Sequence, residues 1–320
     1  MEKDKFKNIH KNIEKDLANL EDILKSKKFK TKEEAQKFLN SLIGKKVPEI
    51  NMHKTPERLA QDLIYDAFEK TDINEICQLA HKALEIYPDC ADAYCLLADY
   101  EAKNDEEALE LYLKGEQAGR KTLGEVFIKE NSGELWGCIS ARPYMRAMWG
   151  VAEYLWILGR RDESIKKCKE MLELNVNDNQ GVRYLLCYYL CAEKRFKEAD
   201  EFMNKGIYKN DYGIEWFYNR PLVEFSLNGD TKKARDLVYE ALRRNLFVLL
   251  LISGLIKMPS EIPETFAIKS IDEAIIYINL HIDLWLKEEK RLLWFLDTSR
   301  DLLLKHKDEI KIEFKSEDDD

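Results

Sequence analysis

Small side chains recur at a fixed interval through the middle of this chain. Ser164 in Asp-Glu-Ser-Ile, Ala199 in Lys-Glu-Ala-Asp and Ala234 in Lys-Lys-Ala-Arg stand 35 residues apart, twice. Five residues before each marker comes a turn position, at Gly159, Lys194 and Gly229. Seven residues after it come Met171, Gly206 and Ala241. Two earlier segments fit the same frame: Glu106-Glu-Ala108-Leu opens one unit's second helix, and Ala80-x-x-Ala83, running to Pro88, closes another. Self-similarity at such a period is the mark of one supersecondary unit repeated along the chain. A single pair of helices cannot bury its own apolar face, so the units must stack on one another.

Composition agrees with helices joined by short turns. The 320 residues include only 13 Gly and 7 Pro, and 35% are charged. Residues 1–54 are expected to form a helical arm or cap. Its first helix, over Lys5 to Leu24, carries Phe6, Ile9, Ile13, Leu17, Leu20 and Leu24 on one face. Thr31-Lys-Glu-Glu34 resembles a capping box, and a turn is expected at Pro48. Thr55-Pro56 supplies an N-cap hydroxyl and a proline at the first helical position, which opens the repeats over 55–247. Ala108 and Ser164 are 56 residues apart, 21 more than one period, so an insertion falls near 121–141. Insertions in repeat arrays often emerge on the binding face. A helical C-terminal cap is expected over 248–314, with one helix opened by Ser270 and running through Trp285. A disordered acidic tail is expected over 315–320. Pro221 falls inside a first helix by phase, where proline costs about 3 kcal/mol. Either that helix kinks or the register slips there.

The repeated register resembles tetratricopeptide repeats, about five of them. The resemblance implies an all-α fold, an α-α superhelix with helical caps at both ends, in which the first helix of each pair lines a concave groove. A narrower resemblance rests on Tyr87-Pro-Asp-Cys-Ala-Asp-Ala-Tyr94, Arg142-Pro-Tyr-Met-Arg-Ala147, Asn177-Asp-Asn-Gln-Gly-Val-Arg-Tyr184 and Lys257-Met-Pro ahead of Ser270-Ile-Asp-Glu-Ala274. These look like a bacterial repeat family that is itself similar to the suppressor of tumorigenicity 7 proteins. Relatives typically read Glu-Thr before Arg-Pro-Tyr-Met-Arg, where this chain has Ser140-Ala141. Some members carry an added zinc-binding segment, for which no cysteine spacing exists here. The family implies no established reaction.

The superhelix and the repeat phase together place Arg146, Trp149, Glu153, Trp156, Tyr184, Tyr188, Trp216, Asn219, Arg220 and Val223 toward the groove. Aromatic and arginine side chains dominate binding energy at interfaces. The competing reading is that they pack against neighbouring helices. Tetratricopeptide domains that hold a C-terminal carboxylate use Lys, Asn and Arg on successive first helices. Only Arg146, Asn219 and Arg220 stand in for that set here, so an acidic or extended peptide is the better fit. Arg142, Arg146 and Arg183 beside the Asn177–Gly181 turn form a candidate anion site, against the simpler account of a turn that caps the next helix.

Cys187 and Cys191 lie four apart without a third ligand, so packing is expected and no metal is assigned. The five histidines are scattered, and no glycine-rich phosphate loop is present. A formal charge of -9 argues against nucleic acid as partner. The longest apolar run, Leu246 to Ile256, is too short to span a membrane. Seven cysteines without a Cys-x-x-Cys pair, and a charged N-terminus, fit a cytoplasmic protein. The expected function is a non-catalytic scaffold that binds a protein or peptide segment and needs no cofactor. The alternatives are an anion sensor or enzyme built on the arginines, and a self-associating structural module.

Overall fold

The computed structural model describes residues 5–27, 29–45, 47, 54–306 and 309. Among them the fold is all-α. The turn expected at Pro48, the tail at 315–320 and the side chains of Phe6 and Ile9 lie outside the described residues. The helices are α1 (Lys5–Ser26), α2 (Lys32–Ser41), α3 (Pro56–Phe68), α4 (Ile73–Ile86), α5 (Ala91–Tyr100), α6 (Asp105–Leu123), α7 (Glu125–Glu130), α8 (Arg142–Ile157) and α9 (Arg161–Leu174). Then follow α10 (Val182–Ala192), α11 (Phe196–Met203), α12 (Ile214–Asn228), α13 (Lys232–Arg244), α14 (Phe247–Ile252), α15 (Ile271–Leu286) and α16 (Glu289–Lys305). Helices pack on their neighbours along the chain, α3 on α4, α5 on α6 and α8 on α9 in one stretch and α12 on α13 in another, consistent with an all-α helical repeat solenoid. The chain divides into two compact units, Met1–Val182 and Arg183–Asp320.

Side-chain caps account for several of the helix starts. Thr31, Thr55, Thr231 and Ser270 each accept a bond from the amide three residues on, and Asn104 does the same for Glu107. The small residues that mark the period are packed into the interior. Ala80, Ala108, Ser164, Ala199 and Ala234 are all buried. Ser164 is tolerated there because its hydroxyl donates to the Ala152 carbonyl at 2.7 Å. The period fails once: α11 ends at Met203, and Gly206 opens a short 3₁₀ turn with φ +52° instead of standing inside a helix. Pro221 lies within α12, so the repeat register holds through it.

The insertion is folded rather than looped out. After α6 it forms α7 and two 3₁₀ turns at Leu135–Gly137 and Ile139–Ala141, with Leu135 fully buried. Gly133 donates to Leu174 O at 3.0 Å and accepts from Val176 N at 2.8 Å, which pins it to the end of α9. In the second unit α15 packs on α12, and α16 packs on α12, α13 and α15.

Candidate binding cavity in the first unit

Arg142 and Arg146 stand one turn apart near the start of α8, so both project to the same side. Facing them on α5 is Asp92, an isolated acid in the otherwise apolar run Ala91-Asp-Ala-Tyr-Cys-Leu-Leu. Arg146 grips it with two parallel bonds, Nε to Oδ1 at 2.8 Å and Nη2 to Oδ2 at 2.5 Å. Gln61 of α3 adds a third bond to the same carboxylate at 2.9 Å.

From the other side α1 brings Glu14. Arg146 Nη1 reaches both of its oxygens at 2.9 Å, and Arg142 Nη1 donates to it at 3.2 Å. Glu14 and Asp92 are 2% and 1% exposed, so two carboxylates and two guanidinium groups neutralise one another out of water. Burial works against the Arg146 charge, yet Asp92 and Glu14 hold its pKa well above the usual arginine value. Burial likewise pushes the nearby Tyr65 hydroxyl up, so it stays protonated.

Beside this network opens a cavity of about 680 Å³. Its walls include Phe68, Tyr112, Trp136 and Trp149, with Glu153 and Gln180 at polar points. The insertion supplies Trp136, whose carbonyl accepts from Arg142 Nε at 3.1 Å and whose ring lies 5.2 Å below that guanidinium. Tyr112 is held by its hydroxyl bond to Asp99 at 2.6 Å, and its ring lies flat on α8 at Gly150. A Cβ at Gly150 would sit 2.1 Å from that ring, so only glycine allows the approach. Gln180 donates weakly to Met145 O at 3.4 Å, while its buried Oε1 has no hydrogen-bond partner among the described residues.

No family model matches the chain, and no curated protein matches it. What the cavity can hold therefore follows from its own chemistry: aromatic walls, paired charges at one edge and an unsatisfied acceptor. Among the described residues no group of three or more His, Cys, Asp or Glu is arranged to hold a metal ion. No described helix is long and apolar enough to cross a membrane.

The residues expected to share one groove face separate into distinct places. Arg146, Trp149 and Glu153 line the cavity. Trp156 does not; its ring stacks under Arg161 at 4.0 Å, and its carbonyl accepts from the same guanidinium. Trp216 and Asn219 are fully buried, which corrects the expectation that they face a partner. Val223 is buried with them. Asn219 accepts from the Tyr277 hydroxyl at 3.0 Å, and Trp216 lies edge-on to Tyr184.

Tyr188 donates to Asp283 at 3.2 Å and packs edge-on against His281. Arg220 donates to the carbonyls of Met203 and Lys209, closing the turn after α11 rather than reaching outward. Arg183 and Tyr184 both bind Asp211, at 2.6 Å and 2.9 Å. Of the three arginines expected at an anion site, Arg142 and Arg146 hold Glu14, Arg146 also holds Asp92, and Arg183 holds Asp211. Asp178, at φ +47°, accepts from Val182 N at 2.8 Å, so the Asn177–Gly181 turn caps α10.

Glu14, Asp92, Tyr112 and Trp136 escaped the sequence reading. Asp92 was discoverable: a lone carboxylate in a buried apolar helix demands a partner. Glu14 was not, because its role depends on where α1 lies.

Proposed function

We propose that this protein is a non-catalytic binding scaffold of the tetratricopeptide kind, working in the cytoplasm, with the cavity of the first unit as its binding place. The partner is a protein or peptide segment that offers apolar side chains and a carboxylate. The observation that carries this reading is the junction of an aromatic-walled space of about 680 Å³ with two arginines aimed at carboxylates. Apolar walls with a few convergent polar groups are the usual make-up of a ligand site. The unsatisfied Gln180 Oε1 adds an acceptor for a backbone or side-chain N–H of the ligand. Support for a non-catalytic role comes from the charged groups beside the cavity, where Arg146 is saturated by Asp92 and Glu14. Support for a reducing compartment comes from the sequence pattern of the seven cysteines, which include no Cys-x-x-Cys pair.

A displayed random-peptide library selected against the full chain tests the reading. Enriched peptides should combine acidic and bulky apolar residues. Trp149→Ala and Trp136→Ala should abolish their capture, while Arg220→Ala leaves it unchanged. No enrichment, or capture indifferent to Trp149 and Trp136, refutes it.

A further inference from the structure

α1 stands outside the repeat frame. The connection that ties it to α3 contains α2, which buries no side chain. Much of its hold on the first unit is polar. Lys15 pairs with Asp66 at 2.7 Å, Arg58 reaches Asn19 at 2.6 Å and Asp22 at 3.0 Å, and Glu14 engages both arginines of α8. Among its described apolar side chains, Ala18 and Ile23 are buried, while Ile13 is about half exposed. Space also lies on both sides of the helix. The large cavity is on the side of Ile13 and Leu17. A second, of about 230 Å³, lies between Ala18 and Asp22 on α1 and Tyr87 and Ile139 opposite. Elements that belong to a core leave few such voids, because empty space forfeits dispersion contacts.

The charges make the same point. Asp92 is fixed in the repeats and answers one guanidinium; the second carboxylate is supplied by α1 alone. With α1 withdrawn, Arg142 and Arg146 share Asp92, and the face carries an uncompensated positive charge beside an aromatic cavity. A carboxylate is what such a pair of guanidinium groups binds best.

We infer that α1 is an exchangeable occupant of this site, and that the partner is an amphipathic helix of another protein. That helix seats a carboxylate between Arg142 and Arg146 in place of Glu14 and turns bulkier apolar side chains toward Trp136 and Trp149. The inference rests on the cavity being a binding place; it adds the class of ligand and a built-in competitor for it. Occupancy by α1 keeps the arginines neutralised until a helix that fills the cavity better displaces it.

The probe is a labelled synthetic peptide spanning Lys5 to Lys27, titrated into the full chain. Glu14→Arg in the chain sets α1 against Arg142 and Arg146 and should expel it. That variant should then bind the peptide about tenfold or more tighter than the wild-type chain does. A peptide bearing Glu14→Ala should lose the gain. Hydrogen exchange on the wild-type chain needs no variant: amides of residues 14–26 should open while those of α3, α5 and α8 stay protected. Exchange of α1 only together with α8, or no peptide uptake by a Glu14→Arg chain that keeps its helical circular dichroism, overturns the inference. If that variant does not fold, the exchange result decides. Library peptides that need Trp149 while α1 stays locked would sink only the exchange of α1. An opening α1 with no library ligand would sink the cavity reading instead.

Discussion

Two repeat helices, one in each unit, are covered by helices from outside the repeats, and the coverings differ in kind. Facing α8 of the first unit is α1, which packs on α3, brings Glu14 to two arginines of α8 and leaves about 680 Å³ of space beside Trp149. On α12 of the second unit the covering helix is α15. Its Tyr277 donates to Asn219 and packs its ring at a tilt against Tyr218, centroids 5.4 Å apart, while Trp285 donates to the Tyr277 hydroxyl at 3.0 Å. The second covering is a core: aromatic rings interlocked, with each polar atom of Asn219 and Tyr277 given a neighbour. The first is held at charged points and leaves room. The same repeat geometry can therefore be closed or kept available, according to whether the extra helix brings rings or carboxylates.

The contrast is sharpest at paired tryptophans. Trp216→Ala should cost the second unit about 3–5 kcal/mol, the range for emptying a buried aromatic site. Trp149→Ala should cost the first unit less, about 1–2 kcal/mol, because its side chain is only half-buried and borders the cavity. Urea denaturation of both variants measures the difference, and equal costs would break the comparison. The buried ion pairs offer a second test. Arg244 holds Glu273 at 2.5 Å and 2.7 Å, and Asn245 and the Lys269 amide hold the same carboxylate. Glu273→Ala strands that arginine and should cost about 3–5 kcal/mol. Asp92→Ala should cost less, since Arg146 keeps Glu14 and adjoins an open cavity; a larger loss there would mean that the first site is as rigidly built as the second.

Gly150 tests whether the cavity is maintained by design of the fold. Tyr112 can line it only because its ring lies against a bare helix backbone. Gly150→Ala should push the ring away and destabilise the first unit by about 1–3 kcal/mol, the usual cost of overpacking. This outweighs the helix propensity that alanine would add. A stabilised variant in thermal denaturation would show that the ring moves freely and that the cavity has no fixed wall.

Much of the architecture was legible because it is periodic. Ala108, Ser164, Ala199 and Ala234 are buried as their phase demands, and the caps at Thr31, Thr55 and Ser270 form as their residue types demand. The phase also brought Arg146, Trp149 and Glu153 to one place. It could not separate them from Trp216 and Asn219, which occupy equivalent phases but meet a covering helix. Periodicity says which side of a helix faces a neighbour; it does not say whether the neighbour is solvent, α1 or α15. That depends on non-periodic segments, whose position follows from pairings such as Glu14 with Arg142, more than a hundred residues apart in the chain.

The mildest test lies in the sealed region and turns on protons. His281 is buried, stacked on Tyr277 at 4.7 Å, with an Nε2 that has no hydrogen-bond partner, and burial lowers its pKa to about 4. The unfolded chain binds that proton near pH 6.5, so stability from the neutral ring is complete above that value and falls as pH drops toward 4. Glu215 acts oppositely. Burial raises its pKa to about 7, so its contribution is present below pH 4.5 and is lost as pH rises to 7. The two slopes oppose each other, and the wild-type second unit should be nearly indifferent to pH between 5 and 7. Glu215→Gln removes one slope and should expose the other, a loss of about 2 kcal/mol on going from pH 7 to pH 5. His281→Gln should show the reverse trend. Denaturant midpoints at the two pH values measure both, and a Glu215→Gln variant as flat as the wild type would mean that water reaches His281, so that α15 seals its face no better than α1 does.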